Sequence, residues 1–305
     1  MNSQRLDPRR NAYRDDMAAS ALNGKVQAPR FVDGVTQQVI AARAPLRSAP
    51  KFHAPLMTEA LHGEAVTVYD SKEGWVWGQL QRDGYVGYIP ADHVSSNVFK
   101  PTHAVRVRAT HIYPSPDIKT PPIDMLTFGA RLPADGREGR FLSLARGGYV
   151  FAEHCVGAGD KLKDYVRAAE RLVGTPYLWG GKTSLGLDCS ALVQLSLHAA
   201  GIECPRDTDM QEAEVGETVE GVIEDDGTLK GGLERGDLIF WKGHVAIAQS
   251  NDWIVHASGH QMETVMEPLR HAVERIGQSW GKPTSVKRIS EEPTILQLPD
   301  ASSGQ

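Results

Sequence analysis

Cys189, His244 and His256 are the residues of this chain whose types and order best suit covalent chemistry. A thiol attacks as its thiolate, and the leaving group then needs a proton carrier. Cys189 heads the run "GLDCSALVQLSLHAAG", which reads as a buried helix with Asp188 as its N-cap and Gly201 as its stop. At a helix start, unpaired backbone N–H groups and the positive end of the dipole favour thiolate and draw the thiol pKa toward neutrality. His244 opens "HVAIA" and His256 lies within "WIVHAS", both strand-like. Adjacent antiparallel strands bring such side chains within about 5 Å, so His256 can hold His244 by its second ring nitrogen. Each residue also has an ordinary reading, as a small core cysteine or a satisfied strand histidine. A metal site built from His244, His256 and His260 is a further alternative, but no carboxylate stands at ligand spacing. At this level nucleophile and core filler both stay open.

Positioning such a set requires a helix packed on a sheet, and the chain supplies both late. From residue 160 the apolar positions 162, 165, 166, 169, 172 and 173 follow a helical face that Gly174 and Pro176 end. After the Cys189 helix, "GDLIFWKGHVAIAQSNDWIVHASG" reads as three strands joined at Lys242-Gly243 and Asn251-Asp252. Helices followed by an antiparallel meander predict an α+β domain over 160–290. Upstream, residues 30–97 and 98–158 repeat one texture of strand, Pro-rich loop, strand with glycine and hairpin, each ending near a Gly-Tyr-Val step. Asp83-Gly84 between alternating runs is a hairpin signal. Two small β-barrels are expected there, the second divergent. Residues 1–29 form a polar arm, either loosely ordered or packed across a domain surface. The Ser-, Pro- and Gly-containing tail at 291–305 is expected to be disordered.

Composition bounds the rest. The 305 residues are 41% hydrophobic and 23% charged, enough for packed cores. A net charge of -5 and scattered basic residues give no field for nucleic acid. Charges interrupt the N-terminal "MNSQRLDPRRNAYRDDMAASALNG", and no later run approaches the roughly 20 apolar residues of a membrane span, so neither secretion signal nor membrane partner is expected. Cys155, Cys189 and Cys204 make no even-numbered disulfide framework and no CxxC pair, which fits a reducing cytoplasm. No metal or other cofactor is expected.

Six motifs then occur in order: Tyr-x-Trp-Gly-Gly from Tyr177, Asp188-Cys189-Ser190, Pro-Arg-Asp-Thr-x-x-Gln from Pro205, Gly-Asp-Leu, His-Val-Ala-Ile from His244 and His-Ala-Ser from His256. In this the region resembles the NlpC/P60 cysteine peptidases, papain-like hydrolases of bacterial cell-wall peptides. The stretch "GWVWGQLQRDGYVGYI" likewise resembles bacterial SH3 (SH3b) domains. The resemblance implies Cys189 as nucleophile, His244 as general base and acid, His256 as the orienting third residue and Tyr177 as an oxyanion donor. It further implies hydrolysis of the γ-D-glutamyl bond to meso-diaminopimelate or Lys in peptidoglycan peptides. Two SH3b domains ahead of the peptidase resemble the recycling subfamily, which acts on free muropeptides with an N-terminal L-Ala. On that pattern Asp188, Glu64 and Tyr85 would receive the substrate ammonium, Ser190 the D-Glu carboxylate, Trp179 would wall the pocket and Thr208 would line it. Two rival readings are a wall-peptide-binding module with a degenerate hydrolase domain and a papain-like amidase or acyltransferase. The complete Cys189, His244 and His256 set speaks against a degenerate domain.

Overall fold

The computed structural model describes residues 6–224, 229–230 and 232–289, so the tail at 291–305 lies outside the described residues. The first barrel is a seven-stranded sheet of antiparallel pairs, with Trp75–Leu80 hydrogen-bonded between Ala65–Lys72 and Val86–Pro90. The turn joining the last two strands is local chemistry. Asp83 accepts from the Tyr85 N–H at 3.1 Å, and Gly84 takes φ +74°, where a side chain would be strained. Alternation along these strands sends Leu46, Ala60, Val66, Val76, Leu80 and Ile89 inward. The second barrel divides into a three-stranded and a five-stranded sheet, the latter centred on Ala109–Tyr113 and Tyr149–Phe151.

From residue 6 on, the N-terminal arm packs on the first barrel. Tyr13–Arg14 pairs with Met17–Ala19, which pairs in parallel with Phe31–Val32, and Met17, Ala18 and Ala19 are buried against Trp77. Arg14 lies 4.6 Å over the Trp77 ring and pairs with Asp70. An arm this polar is held by ion pairs and a short buried apolar run rather than left loose.

The C-terminal domain is a six-stranded antiparallel sheet ordered Glu217–Thr218, Ser285–Arg288, Leu238–Trp241, His244–Ala248, Trp253–Ser258 and Glu263–Pro268. Helices α1 (Val166–Arg171) and α2 (Cys189–Ala199) cover one face through Phe240, Val245, Ile247 and Val255. A helix α3 spans Thr208–Glu214. On the other face, α4 (Leu269–Trp280) packs Leu269, Ala272 and Ile276 against Ile239, Ala246 and Ile254. The helical period from residue 160 overstates α1. Asp164 accepts from the Val166 N–H at 3.0 Å and starts the helix there, while the Leu162 N–H is drawn to Ala199 O at 2.9 Å. Helix α4 and the Glu263–Pro268 strand are additions that the three-strand reading did not anticipate.

Helix α2 is apolar nearly all round because it is enclosed on all sides. The sheet covers one flank. On the other, Leu195 shares a core with Leu61 and Phe128 of the two barrels, and Gln194 donates to Asp83 at 3.0 Å. The barrels are therefore part of the walls of the peptidase domain.

Candidate active site

Asp188 caps α2 by accepting from the Ala191 N–H at 2.9 Å, which places Cys189 in the first turn. As the first helical residue, Cys189 has no carbonyl four residues back, so its own N–H is free for an oxyanion. The ladder between the two histidine strands is recorded only at Ile247↔Val255 and Ala248↔Ile254, so the strands part toward His244 and His256. At this parted end the Val245 N–H and the Thr208 hydroxyl lie near enough to the sulfur to favour its thiolate. His244 is the residue next to that N–H. The two imidazoles meet edge to face, with Nε2 of His244 2.8 Å from Nδ1 of His256.

A carboxylate completes the chain. His256 Nε2 lies 2.7 Å from Glu267 Oε1, and Arg275 on α4 donates to the same oxygen at 2.6 Å. Burial would raise the Glu267 carboxyl, but His256 and Arg275 outweigh it and hold it below its ordinary value. An ionised carboxylate only accepts, so His256 carries its proton on Nε2 and presents a lone pair at Nδ1. His244 therefore donates from Nε2, and its Nδ1 is left as a lone pair for the Cys189 proton. Burial and His256 push His244 down to about 3, so it rests as a neutral base.

Cys189 departs from the sequence expectation in one respect. It is only 5% exposed, and burial, followed by the adjacent Asp188 carboxylate, pushes its thiol up to about 11. The Val245 N–H, Thr208 and Arg206 oppose this without overcoming it. Thiol and imidazole thus rest neutral, and the proton moves as the sulfur attacks. Tyr177 lies within electrostatic reach of both Cys189 and Asp188, and burial raises its phenol first, so it stays a hydrogen-bond donor.

The substrate-binding expectations fare unevenly. Asp188 is not a free acceptor for an ammonium. Its Oδ1 accepts from Ala191 N, Ser190 Oγ and Arg206 Nη1, and its Oδ2 from Gly180 N and Arg206 Nη2. Ser190 is similarly engaged, accepting from Arg206 at 2.7 Å while donating to Asp188. Glu64 is buried away from this cluster, where Lys182 Nζ lies 3.3 Å from it and the Leu61 N–H donates at 2.9 Å. Burial would raise its carboxyl, but Lys182 and Arg82 hold it down, so Glu64 is a charged internal partner instead of a substrate contact. Trp179 is 69% exposed on the loop before Gly180 and is no core residue. Tyr85 is buried, with its hydroxyl donating to Asp207 Oδ2 at 3.0 Å.

Several residues of the site escaped sequence reasoning. Arg206, 1% exposed, bonds Asp188, Ser190, Gly181 O and Thr58 Oγ1 of the first barrel. Glu59 on the same barrel strand accepts from the Lys182 N–H at 2.9 Å and from Arg43 at 3.2 Å. Asp207 receives Tyr85 and, at 2.8 Å, Arg9 of the arm. Position in the Pro-Arg-Asp-Thr motif was a signal for Arg206 and Asp207. Glu59 and Glu267 had none, since only strand pairing brings them in.

Residues 46–94 match the family described as bacterial dipeptidyl-peptidase Sh3 domain, and residues 174–278 match the NlpC/P60 family. Dipeptidyl-peptidase 6 of Lysinibacillus sphaericus is 29% identical over 244 residues, covering 72% of this chain and 86% of that protein. The gamma-D-glutamyl-L-lysine dipeptidyl-peptidase of Bacillus cereus is 26% identical over 246 residues, covering 70% of this chain and 71% of that protein. A solved NlpC/P60 family protein from Bacillus cereus shares the fold with a TM-score of 0.67 at 20% identity, over 83% of this chain and 99% of that one. With a cysteine at the head of a buried helix and a carboxylate-anchored histidine pair on the sheet it packs against, the chain carries an NlpC/P60 cysteine peptidase domain at residues 174–278 behind a bacterial SH3 domain at residues 46–94.

Proposed function

We propose that this peptidase cleaves the γ-D-glutamyl bond to a diamino acid, meso-diaminopimelate or Lys, in muropeptides with a free N-terminal L-Ala, releasing L-Ala-D-Glu. Two relatives named gamma-D-glutamyl-L-lysine dipeptidyl-peptidase support the bond. The observation that carries the free-amine part is the first barrel's place beside the nucleophile. Gly180 (φ +77°) packs so closely on the Leu56–Leu61 strand that a Cβ there would lie 2.3 Å from Leu56 O. In our reading this closely packed strand is the wall that ends the cleft and limits how much peptide extends beyond the amine. The acceptors we assign to the ammonium are Asp207 and Glu59, with the Tyr85 hydroxyl beside Asp207, in place of Glu64 and Asp188. Burial raises both Asp207 and Glu59, and an arriving cation offsets that burial.

In this reading the Cys189 sulfur attacks the γ-carbonyl carbon while its proton passes to Nδ1 of His244. The oxyanion takes hydrogen bonds from the Cys189 N–H and the Tyr177 hydroxyl. Collapse breaks the C–N bond, His244 returns the proton to the departing amine, and the thioester is hydrolysed by a water that His244 deprotonates. We also keep the cytoplasm as its place of work, on the three unpaired thiols. The test incubates the enzyme with L-Ala-γ-D-Glu-meso-diaminopimelate, its Lys counterpart and their N-acetylated forms, following L-Ala-D-Glu by mass spectrometry. Free-amine substrates should be cut and acetylated ones spared, with Cys189→Ala inactive. Equal cleavage of the acetylated peptides would remove the amine-recognition claim. Activity that survives Cys189→Ala would remove the mechanism.

A further inference from the structure

A cavity of about 160 Å³ lies where the two barrels meet the C-terminal half of α2, well apart in sequence and structure from the cysteine at the other end of that helix. Its lining runs from the interior to the surface, where Arg106, Lys161 and Arg171 are exposed. Leu61, Val105, Phe128 and Leu195 supply apolar surface. Around them stand five cationic side chains, Arg82, Arg106, Arg131, Lys161 and Arg171, against two carboxylates, Glu64 and Asp160. Both carboxylates are already engaged, Glu64 by Lys182 at 3.3 Å and by the Arg82 charge at longer range, and Asp160 by the Gly157 N–H at 2.8 Å.

The cations are not matched in the same way. Among the described residues Arg82 has one hydrogen bond, a long 3.4 Å contact to His198 O, and forms no ion pair within 4 Å. Its Nε is buried without a partner, as is Nε2 of His198, which also lines the cavity. The Arg131 guanidinium makes no hydrogen bond or ion pair among the described residues, and it opposes the Arg82 charge that Glu64, Glu203 and Asp83 favour from beyond ion-pair distance. Buried donors left without acceptors cost free energy, about 1–3 kcal/mol each and more where charged. The buried Arg82 Nε, with the half-buried Arg131 guanidinium beside the same apolar pocket, is arranged for an acceptor from outside.

We propose that this junction cavity binds a small amphipathic carboxylate, its apolar body against Leu61, Phe128 and Leu195 and its carboxylate on Arg82 and Arg131. Size sets the body: a dry apolar cavity on the order of 150 Å³ holds one benzene ring. Charge sets the head, since a planar carboxylate accepts from a guanidinium fork in two parallel bonds. The ligand would touch both barrels and α2 at once, and so would stabilise their docking by mass action without entering the catalytic cleft.

Benzoate and its neutral isostere benzamide probe this directly on the full chain, with inorganic phosphate as a purely polar anion. Saturation-transfer NMR and thermal unfolding should show benzoate binding and raising Tm, and little effect from benzamide or phosphate. Arg131→Gln should weaken benzoate about 10- to 100-fold, the worth of one hydrogen bond to a charged group. Should that variant fold poorly, arginine labelling by phenylglyoxal on the wild-type protein gives an independent reading. Benzoate should then protect Arg131 and Arg82 while leaving the exposed Arg137 as reactive as before. Equal binding of benzamide, equal binding of phosphate, unchanged affinity in Arg131→Gln, or no protection of Arg131 and Arg82 would each overturn the proposal.

Discussion

At Cys189 the helix dipole and burial act in opposite directions. The dipole and the free N–H groups of the first turn favour thiolate, but the sulfur is enclosed and has Asp188 as its immediate neighbour. The group is an acid whose pKa is raised to about 11, so the neutral thiol persists through the physiological range and ionisation sets in only as pH approaches that value. The alkylation rate of Cys189 by iodoacetamide should therefore still climb about tenfold per pH unit between about pH 8 and 10. A rate already level by about pH 8 would mean that thiolate and imidazolium pre-exist in the resting enzyme. Because His244 is pushed down to about 3, acidification to about pH 5 should not inactivate the free enzyme through protonation of that ring, which kcat/KM measured against pH would check.

Strand pairing supplies what orients the base. His256 and Glu267 lie on neighbouring strands, and the register Ile254↔Glu267 with His256↔Val265 puts them diagonally across one face. Their 2.7 Å contact decides which nitrogen of each imidazole carries hydrogen, and Arg275, one helix later, keeps the carboxylate charged. Glu267→Gln should therefore act on turnover more than on folding. The amide can present an N–H to His256 Nε2, invert both tautomers and leave Nδ1 of His244 protonated against the thiol. We expect kcat to fall about 10²-fold or more with KM little changed and Tm within a few degrees, measured by steady-state kinetics and calorimetry. Wild-type turnover in this variant would assign Glu267 a purely structural role.

At the scale of the whole chain, the first barrel and the peptidase domain are joined by buried charge rather than by an apolar seam alone. Lys182, 1% exposed, sits between Glu64 and Asp83, and Arg206 ties Asp188 and Ser190 to Thr58 of the barrel. Such pairs add little to stability in themselves, but removing one partner strands the other. Arg206→Met leaves the Asp188 carboxylate in place without its guanidinium. It should cost about 3–5 kcal/mol in denaturant unfolding and lower Tm by roughly 10 °C, with the barrel loosened from the cleft. A change under about 1 kcal/mol would show that other contacts hold this interface. The arm adds to the same union, since Arg9 reaches Asp207 and Asp209 beside the nucleophile's helix while its carbonyl accepts from the Val86 N–H.

Motif order and period were enough to single out Cys189, His244 and His256, the α+β domain and the β-rich region ahead of it, because each rests on local chemistry. A cap, a glycine stop, an alternating run or a hairpin turn is written in a few adjacent residues. What those residues do to one another was not legible. Whether Asp188 has an oxygen to spare, whether Glu64 or Glu59 faces the cleft and whether Cys189 rests as thiol or thiolate depend on which groups are packed against them and how much water they lose. Arg206, Glu267 and Arg275 are remote in sequence from the groups they control, and no periodicity marks them. Desolvation and hydrogen-bond saturation are properties of a packed volume, so they exist only once the barrels, the sheet and the helices have closed around the site.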